Sequence, residues 1–459
     1  MPRFWILLLL SVFSAAAEPA DLIVTARYVV TMDAQKHVID NGAVAIRGER
    51  VTAIGTRRDI DARFQSKSRI DAGNAIVAPG LINTHTHAAM SLFRGIADDL
   101  ALHDWLEKYI FPAEAKNVNA EFVRWGTRLA CLEMLLSGTT TYVDMYYFED
   151  VVAEETKRAG MRGVLGETII GFPVADAKTP GDSLKLTESF IQRFRNDALI
   201  TPAVAPHAIY TNSDETLKAS RALANKYSIP LVIHLSETKK ENDDLKAKRG
   251  ISPTMLLDKL GVLDGRTVAA HGVWIDANDM AMLKKHNVGV AHCPSSNMKL
   301  ASGIAPVMDY LRNDVAIGLG TDGVAGSNND VDMFEEMDLA AKLQKVTTHD
   351  PRSLNAEQAF EMATLRGARA LGMEREIGSL EAGKRADLIV VGLNEANAVP
   401  IYSVYSQLVY ALKASDVQDV IVNGKIVVRQ RRALTLNRDQ ILSKAAQYGA
   451  TIHRSLAAK

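Results

Sequence analysis

Between residues 75 and 320 eight short apolar runs alternate with longer helix-patterned stretches, and no other feature constrains the fold as strongly. The runs are Ala75–Ile82, Thr139–Asp144, Gly163–Thr168, Ile200–Pro206, Pro230–Leu235, Thr267–Ala270, Val288–Ala291 and Ala316–Gly320. Helical patterns such as Ala120–Ser137, Asp214–Tyr227 and Asp279–His286 lie between them, several opened by Asp, Ser or Asn and closed by Gly, Asn or Pro. Eight strands alternating with helices predict an α/β fold, a (β/α)8 TIM barrel over residues 76–375. A doubly wound open sheet is the alternative, but no Gly-x-Gly-x-x-Gly follows the first strand.

Shorter β-branched runs flank this region: Leu22–Val24, Tyr28–Met32, Ala43–Ile46 and Arg50–Gly55 before it, Ala386–Val391 and Asp419–Lys425 after it. Their common texture predicts one small composite β domain built from both chain ends, residues 18–75 and 376–435, with a C-terminal helix over 436–459. At the start, one Arg, the apolar run Phe4–Phe13 and the triplet Ala15-Ala16-Ala17 read as a secretory signal peptide, residues 1–17. The alternatives are a retained N-terminal anchor or an extended start codon. The run is too short to span a bilayer, so no stable membrane anchor is expected, and the predicted location is periplasmic or extracellular, with a mature chain from Glu18.

Lys plus Arg (53) nearly cancels Asp plus Glu (54), and no basic run stands out, which argues against a nucleic-acid partner. The expected partner is a small-molecule substrate, and homo-oligomerisation stays open. Two cysteines, Cys131 and Cys293, do not suffice for a thiolate zinc site, so any metal must rest on imidazole and carboxylate.

A barrel carries its active site at the C-terminal strand ends. Those ends hold His85 and His87 after the first strand, His207 after the fourth, His234 on the fifth, His271 after the sixth, His292 after the seventh and Asp322 after the eighth. Residues i and i+2 of a strand project to one side, so His85 and His87 can face one ion, although alone the pair fits structural imidazoles equally well. Convergence of several strand ends favours His85, His87, His234 and Asp322 as ligands of one divalent metal ion with a water in the open position. Zn2+ is favoured, with Fe2+ as the alternative.

Glu237, three residues beyond His234, is placed to carry protons between water and substrate; its other reading is a carboxylate at a helix N-terminus. His271 is read as a hydrogen-bond partner of the water or an oxyanion, or else as a packing residue. His292 is read as a supporting residue, and Pro294-Ser295-Ser296-Asn297 as a turn that shapes its loop. His37, His103, His286, His349 and His453 lie away from strand ends and are read as surface or packing residues.

The motifs Pro79-Gly80-Leu81-Ile82-Asn83-Thr84-His85-Thr86-His87, Arg94–Leu100, Pro206–Thr211, His234-Leu235-Ser236-Glu237-Thr238 and Gly320–Asn329 occur in this order. Through them residues 20–435 resemble the amidohydrolase superfamily, and within it the 5-methylthioadenosine/S-adenosylhomocysteine deaminases and their adenosine-type relatives. The resemblance implies a metal-dependent hydrolytic deaminase of an adenine-type nucleoside, releasing ammonia and the inosine analogue. It implies that Glu237 protonates a ring nitrogen, His271 orients the metal-activated water and Asp322 accepts its proton. It further implies that Glu114 hydrogen-bonds ribose hydroxyls, its other reading being a solvated helix carboxylate, and that His207 contacts the sugar or its 5′ substituent. Where relatives that take S-adenosylhomocysteine carry arginines near the third strand, this chain has Glu167, expected to repel a carboxylate tail. The rival readings are another aminated or chlorinated N-heterocycle such as guanine or a triazine, and a non-catalytic binding protein. Against the latter, no ligand is missing and Glu237 is present.

Overall fold

The computed structural model describes residues 17–457, so the leader predicted over 1–17 lies outside the described residues apart from Ala17. Eight strands pair in sequence order and in parallel: β1 (Leu81–Thr86), β2 (Thr139–Tyr146), β3 (Arg162–Ile169), β4 (Ile200–Pro206), β5 (Leu231–Leu235), β6 (Thr267–His271), β7 (Gly289–His292) and β8 (Ala316–Leu319). This is the expected (β/α)8 barrel, and its strands read as unbroken apolar runs because both faces are covered. Val143, Met145, Val164, Ala203, Ala205, Val232, Val268 and Ala291 fill the interior. Their neighbours Tyr142, Leu165, Val204, Ile233, Ala269 and Val290 pack outward against the helices.

Side chains tie the seam between β8 and β1. Thr84 Oγ1 donates to the Leu319 carbonyl at 2.8 Å, Asn83 Nδ2 to Thr321 Oγ1 at 2.8 Å, and the Thr321 N–H to Asn83 Oδ1 at 3.1 Å. A Cβ on Gly318 would lie 2.6 Å from Thr84 Cγ2 and one on Gly320 would lie 2.8 Å from the His85 nitrogen, so the closure depends on both glycines.

A second sheet joins the two chain ends. Its antiparallel pairing of Ala75–Pro79 with Leu388–Gly392 connects strands Leu22–Val30, Val38–Arg47 and Arg50–Thr56 on one side to Val417–Val422 and Lys425–Arg429 on the other. The run Ala75–Ile82, expected as one barrel strand, is therefore two elements. It breaks at Gly80, where a Cβ would lie 2.2 Å from Thr140 Oγ1, and only Leu81 onward enters the barrel.

A buried ion pair fixes this sheet to the barrel: Arg162 of β3 donates from Nε and Nη2 to Asp387 Oδ2, both at 3.1 Å. The C-terminal helix Arg438–Ala457 buries Ile441 and Ile452, and its Tyr448 meets Phe122 of helix Ala120–Leu136 edge-on. Among the described residues no helix is long and apolar enough to cross a membrane. Both cysteines are buried and free.

Candidate metal centre and active site

The end of β1 brings His85 and His87 to one side, and hydrogen bonds from the next strand lock the turn. Thr86 Oγ1 and the Ala88 N–H both donate to Asp144 Oδ1, at 2.8 and 2.7 Å. His87 Nδ1 lies 2.7 Å from the Met145 carbonyl and His234 Nδ1 lies 2.8 Å from the His207 carbonyl. A carbonyl can only accept, so both rings carry a proton on Nδ1 and turn Nε2 inward.

Among the described residues, fully buried His85 has no hydrogen-bond partner at either ring nitrogen. Asp322 Oδ1 stands 3.3 Å from His85 Nε2 and 3.2 Å from His87 Nε2. Ligand atoms of His85, His87, His234 and Asp322 all fall within 4.8 Å of one another. An imidazole buried without a partner forfeits about 1–3 kcal/mol unless something takes its lone pair. The orphaned His85 nitrogens, the inward Nε2 atoms and the adjacent carboxylate together fit a divalent ion.

Burial pushes His85 down to about 4 and His234 well below the usual histidine range, so both are neutral near pH 7, the form that can ligate. Burial opposes charge on His87 as well, but Asp322 beside it raises it to about 9, so without an ion its Nε2 also bears a proton, which an ion binding there would displace. Burial alone would raise Asp322, yet the His85 and His87 rings beside it hold it well below the carboxylate range. Ser236, His271 and Asp322, at or just beyond the ends of β5, β6 and β8, have φ of 49°, 73° and 64°. Left-handed backbone in non-glycine residues costs on the order of 1–3 kcal/mol each and here bends the strand ends at the site.

Glu237 lies beside this group rather than at a helix N-cap, since Thr238 caps helix Lys239–Arg249. Burial pushes its carboxyl well above the usual range, and the nearby Asp322 charge adds to the shift. Its Oε2 is 3.7 Å from His271 Nε2, and His271 Nδ1 is 3.1 Å from Asn297 Oδ1. Burial also lowers His271.

His87, His234, Glu237, His271 and Asp322 line one cavity. One wall is apolar, with Met90, Leu102, Trp105, Leu106, Phe111 and Leu300. Glu114, on helix Phe111–Asn117, reaches the cavity and is buried, which replaces the reading of it as a solvated helix carboxylate. Tyr146 donates to it at 2.7 Å and Tyr147 at 3.5 Å, while burial pushes it up to about 7. His207 lines the same cavity with Nδ1 3.0 Å from Thr211 Oγ1, and burial lowers it to about 3.

The expectation for Glu167 is corrected. It does not line the cavity; its Oε2 accepts the Glu149 N–H at 2.9 Å, and Thr168, one residue on and so on the opposite face of β3, lines the cavity instead. Glu167 is therefore not placed to repel a substrate carboxylate in the cavity, although among the described residues neither Lys nor Arg lines it. His292 is fully buried, outside the four-donor group and the cavity lining, and among the described residues neither of its ring nitrogens has a partner. Two residues given only a loop-shaping role prove to touch the site: Ser296 Oγ donates to Asp322 Oδ2 at 2.6 Å, and Asn297 meets His271.

Residues 76–427 match the family model described as the amidohydrolase family. The chain belongs to the amidohydrolase family. This amidohydrolase is 45% identical over 435 residues to the 5-methylthioadenosine/S-adenosylhomocysteine deaminase of Thermodesulfovibrio yellowstonii, covering 94% of this chain and 99% of the relative. It is 44% identical over 378 residues to the 5′-deoxyadenosine deaminase of Methanosphaera stadtmanae, covering 82% and 88%. Among solved structures it is similar to an adenosine deaminase from Xanthomonas campestris with bound zinc, at 39% identity and a TM-score of 0.93, covering 95% of this chain and all of the other.

Proposed function

We propose that this amidohydrolase is a metal-dependent hydrolytic deaminase of adenine-type nucleosides, of the adenosine, 5′-deoxyadenosine or 5′-methylthioadenosine class. The observation that carries the reading is Glu237, a buried carboxyl held above its usual range, placed beside the four-donor group inside a largely apolar cavity. His85, His87, His234 and Asp322 would hold the ion, and the donor set together with the zinc in the Xanthomonas campestris relative favours Zn2+ over Fe2+. Such an ion, when bound, lowers the pKa of water from 15.7 to roughly 7.

Glu237, whose carboxyl burial holds well above its usual range, can deliver a proton to the ring nitrogen next to the amine-bearing carbon, which makes that carbon electrophilic. Asp322, held ionised, accepts the proton that water gives up as its oxygen bonds to the carbon. His271 meets the water through Nε2 and fixes its direction of attack. Return of that proton to the exocyclic nitrogen lets the carbon–nitrogen bond break with loss of ammonia, while the proton of the newly added hydroxyl passes to Glu237, which restores its acid form and leaves the oxo product. The apolar wall excludes bulk water from this sequence.

Glu114 is assigned to the ribose hydroxyls and His207 to the sugar or its 5′ substituent. With neither Lys nor Arg on the lining, the zwitterionic tail of S-adenosylhomocysteine finds no counter-charge, so smaller 5′ groups are favoured. Glu114→Ala is expected to lower kcat/KM for nucleosides by about 10–100-fold, the loss of a hydrogen bond to a charged group. Wild-type enzyme that releases ammonia from free adenine as fast as from its nucleosides would remove the ribose assignment.

Residues 1–17 support an exported location. Cell fractionation of the full chain is expected to recover a form beginning at Glu18 in the periplasm or medium, and a deletion of residues 2–17 in the cytoplasm. Full-length protein retained in the cytoplasm would overturn this placement.

A further inference from the structure

Adjacent residues on the short helix Pro294–Lys299 after β7, Ser296 and Asn297, each reach a different functional side chain. Both are buried, and neither lines the cavity, so neither is placed to touch substrate. The helix is itself anchored to the loop that carries Asp322. Buried Glu336 accepts the Ser295 N–H at 3.2 Å with one oxygen and Asn328 Nδ2 at 3.0 Å with the other, and Asn328 Nδ2 also donates to the Thr321 carbonyl at 3.0 Å.

We propose that Asn297 is a positioning residue that holds His271 as the Nδ1–H tautomer, with Ser296 orienting Asp322 from the same helix. The inference rests on His271 as the residue that meets the attacking water. An amide oxygen accepts and cannot donate, so Asn297 Oδ1 at 3.1 Å places the imidazole proton on Nδ1. His271 Nε2, 3.7 Å from Glu237 Oε2, is left with its lone pair toward the site. His271 then accepts a hydrogen bond from the water and directs an oxygen lone pair at the substrate. The opposite tautomer would donate to that oxygen and compete with its attack. Ser296, whose hydroxyl donates at 2.6 Å to Asp322 Oδ2, fixes the carboxylate plane while Oδ1 faces His85 and His87. Among the described residues the side chain of Asn297 hydrogen-bonds His271 alone, its Nδ2 making no hydrogen bond, so its substitution acts on that ring first.

The test is 15N NMR of the metal-loaded enzyme labelled at histidine, with the His271 resonances assigned by their loss in His271→Gln. A pyrrole-type Nδ1 and a pyridine-type Nε2 are expected, and a protonated Nε2 on a neutral ring would overturn the proposal whatever the activity. Asn297→Ala is expected to lose the fixed tautomer and about 10–100-fold in kcat, with KM and bound metal unchanged. Asn297→Asp, which keeps the acceptor, is expected to retain the Nδ1–H signature. Unchanged kcat in Asn297→Ala, or loss of the signature in Asn297→Asp, would count against the assignment. If no nucleoside is deaminated but the tautomer is as stated, the functional reading fails while the Asn297 contact stands.

Discussion

Glu237→Gln is expected to lower kcat about 10²–10⁴-fold while bound metal and folding stay as in the wild type. The amide keeps the size of the side chain and can still donate a hydrogen bond, but it cannot release a proton to the purine ring. Burial raises the Glu237 carboxyl, so its acid form is present at low pH, persists through the ordinary carboxylate range, and is lost only as pH rises through the raised value. The basic side of the pH–rate profile should therefore contain a Glu237 limb that disappears in the variant. A variant with full kcat would leave the proton donor unassigned, and a variant that loses its metal would show that the carboxyl acts on the ligand group instead.

The other large effect is expected from His234→Ala. Its Nε2 is one of four inward donors, and its Nδ1 is committed to the His207 carbonyl, so nothing on β5 can replace it. Metal content should fall below one ion per chain and activity by more than about 10⁴-fold, because the reaction then relies on water with a pKa of 15.7 instead of one near 7. The wild type should also melt at a higher temperature with zinc than after chelation, since an ion that binds only the folded chain stabilises it by mass action. That difference should vanish in His234→Ala. Full zinc content in the variant would show that the remaining three side chains suffice.

The barrel was legible because every strand is covered on both faces and so appears as a continuous apolar run. The four-donor group was legible because His85, His87, His234 and Asp322 sit where such runs stop. The same continuity misled at Ala75–Ile82, where a strand of the composite sheet and the first barrel strand follow one another with only the Pro79-Gly80 step between them. Glu167 was misplaced because sequence neighbourhood does not tell which face of β3 a residue takes, and Thr168 holds the inward position. Ser296 and Asn297 were passed over because their partners Asp322 and His271 each lie 26 residues away, a pairing that only the closure of the barrel creates.

The central claim is tested most directly by incubating the zinc-loaded chain from Glu18 with 5′-methylthioadenosine and quantifying both products. Equal amounts of ammonia and 5′-methylthioinosine, abolished by chelation and restored by zinc, are predicted. No ammonia from this substrate, from adenosine or from 5′-deoxyadenosine would contradict the account.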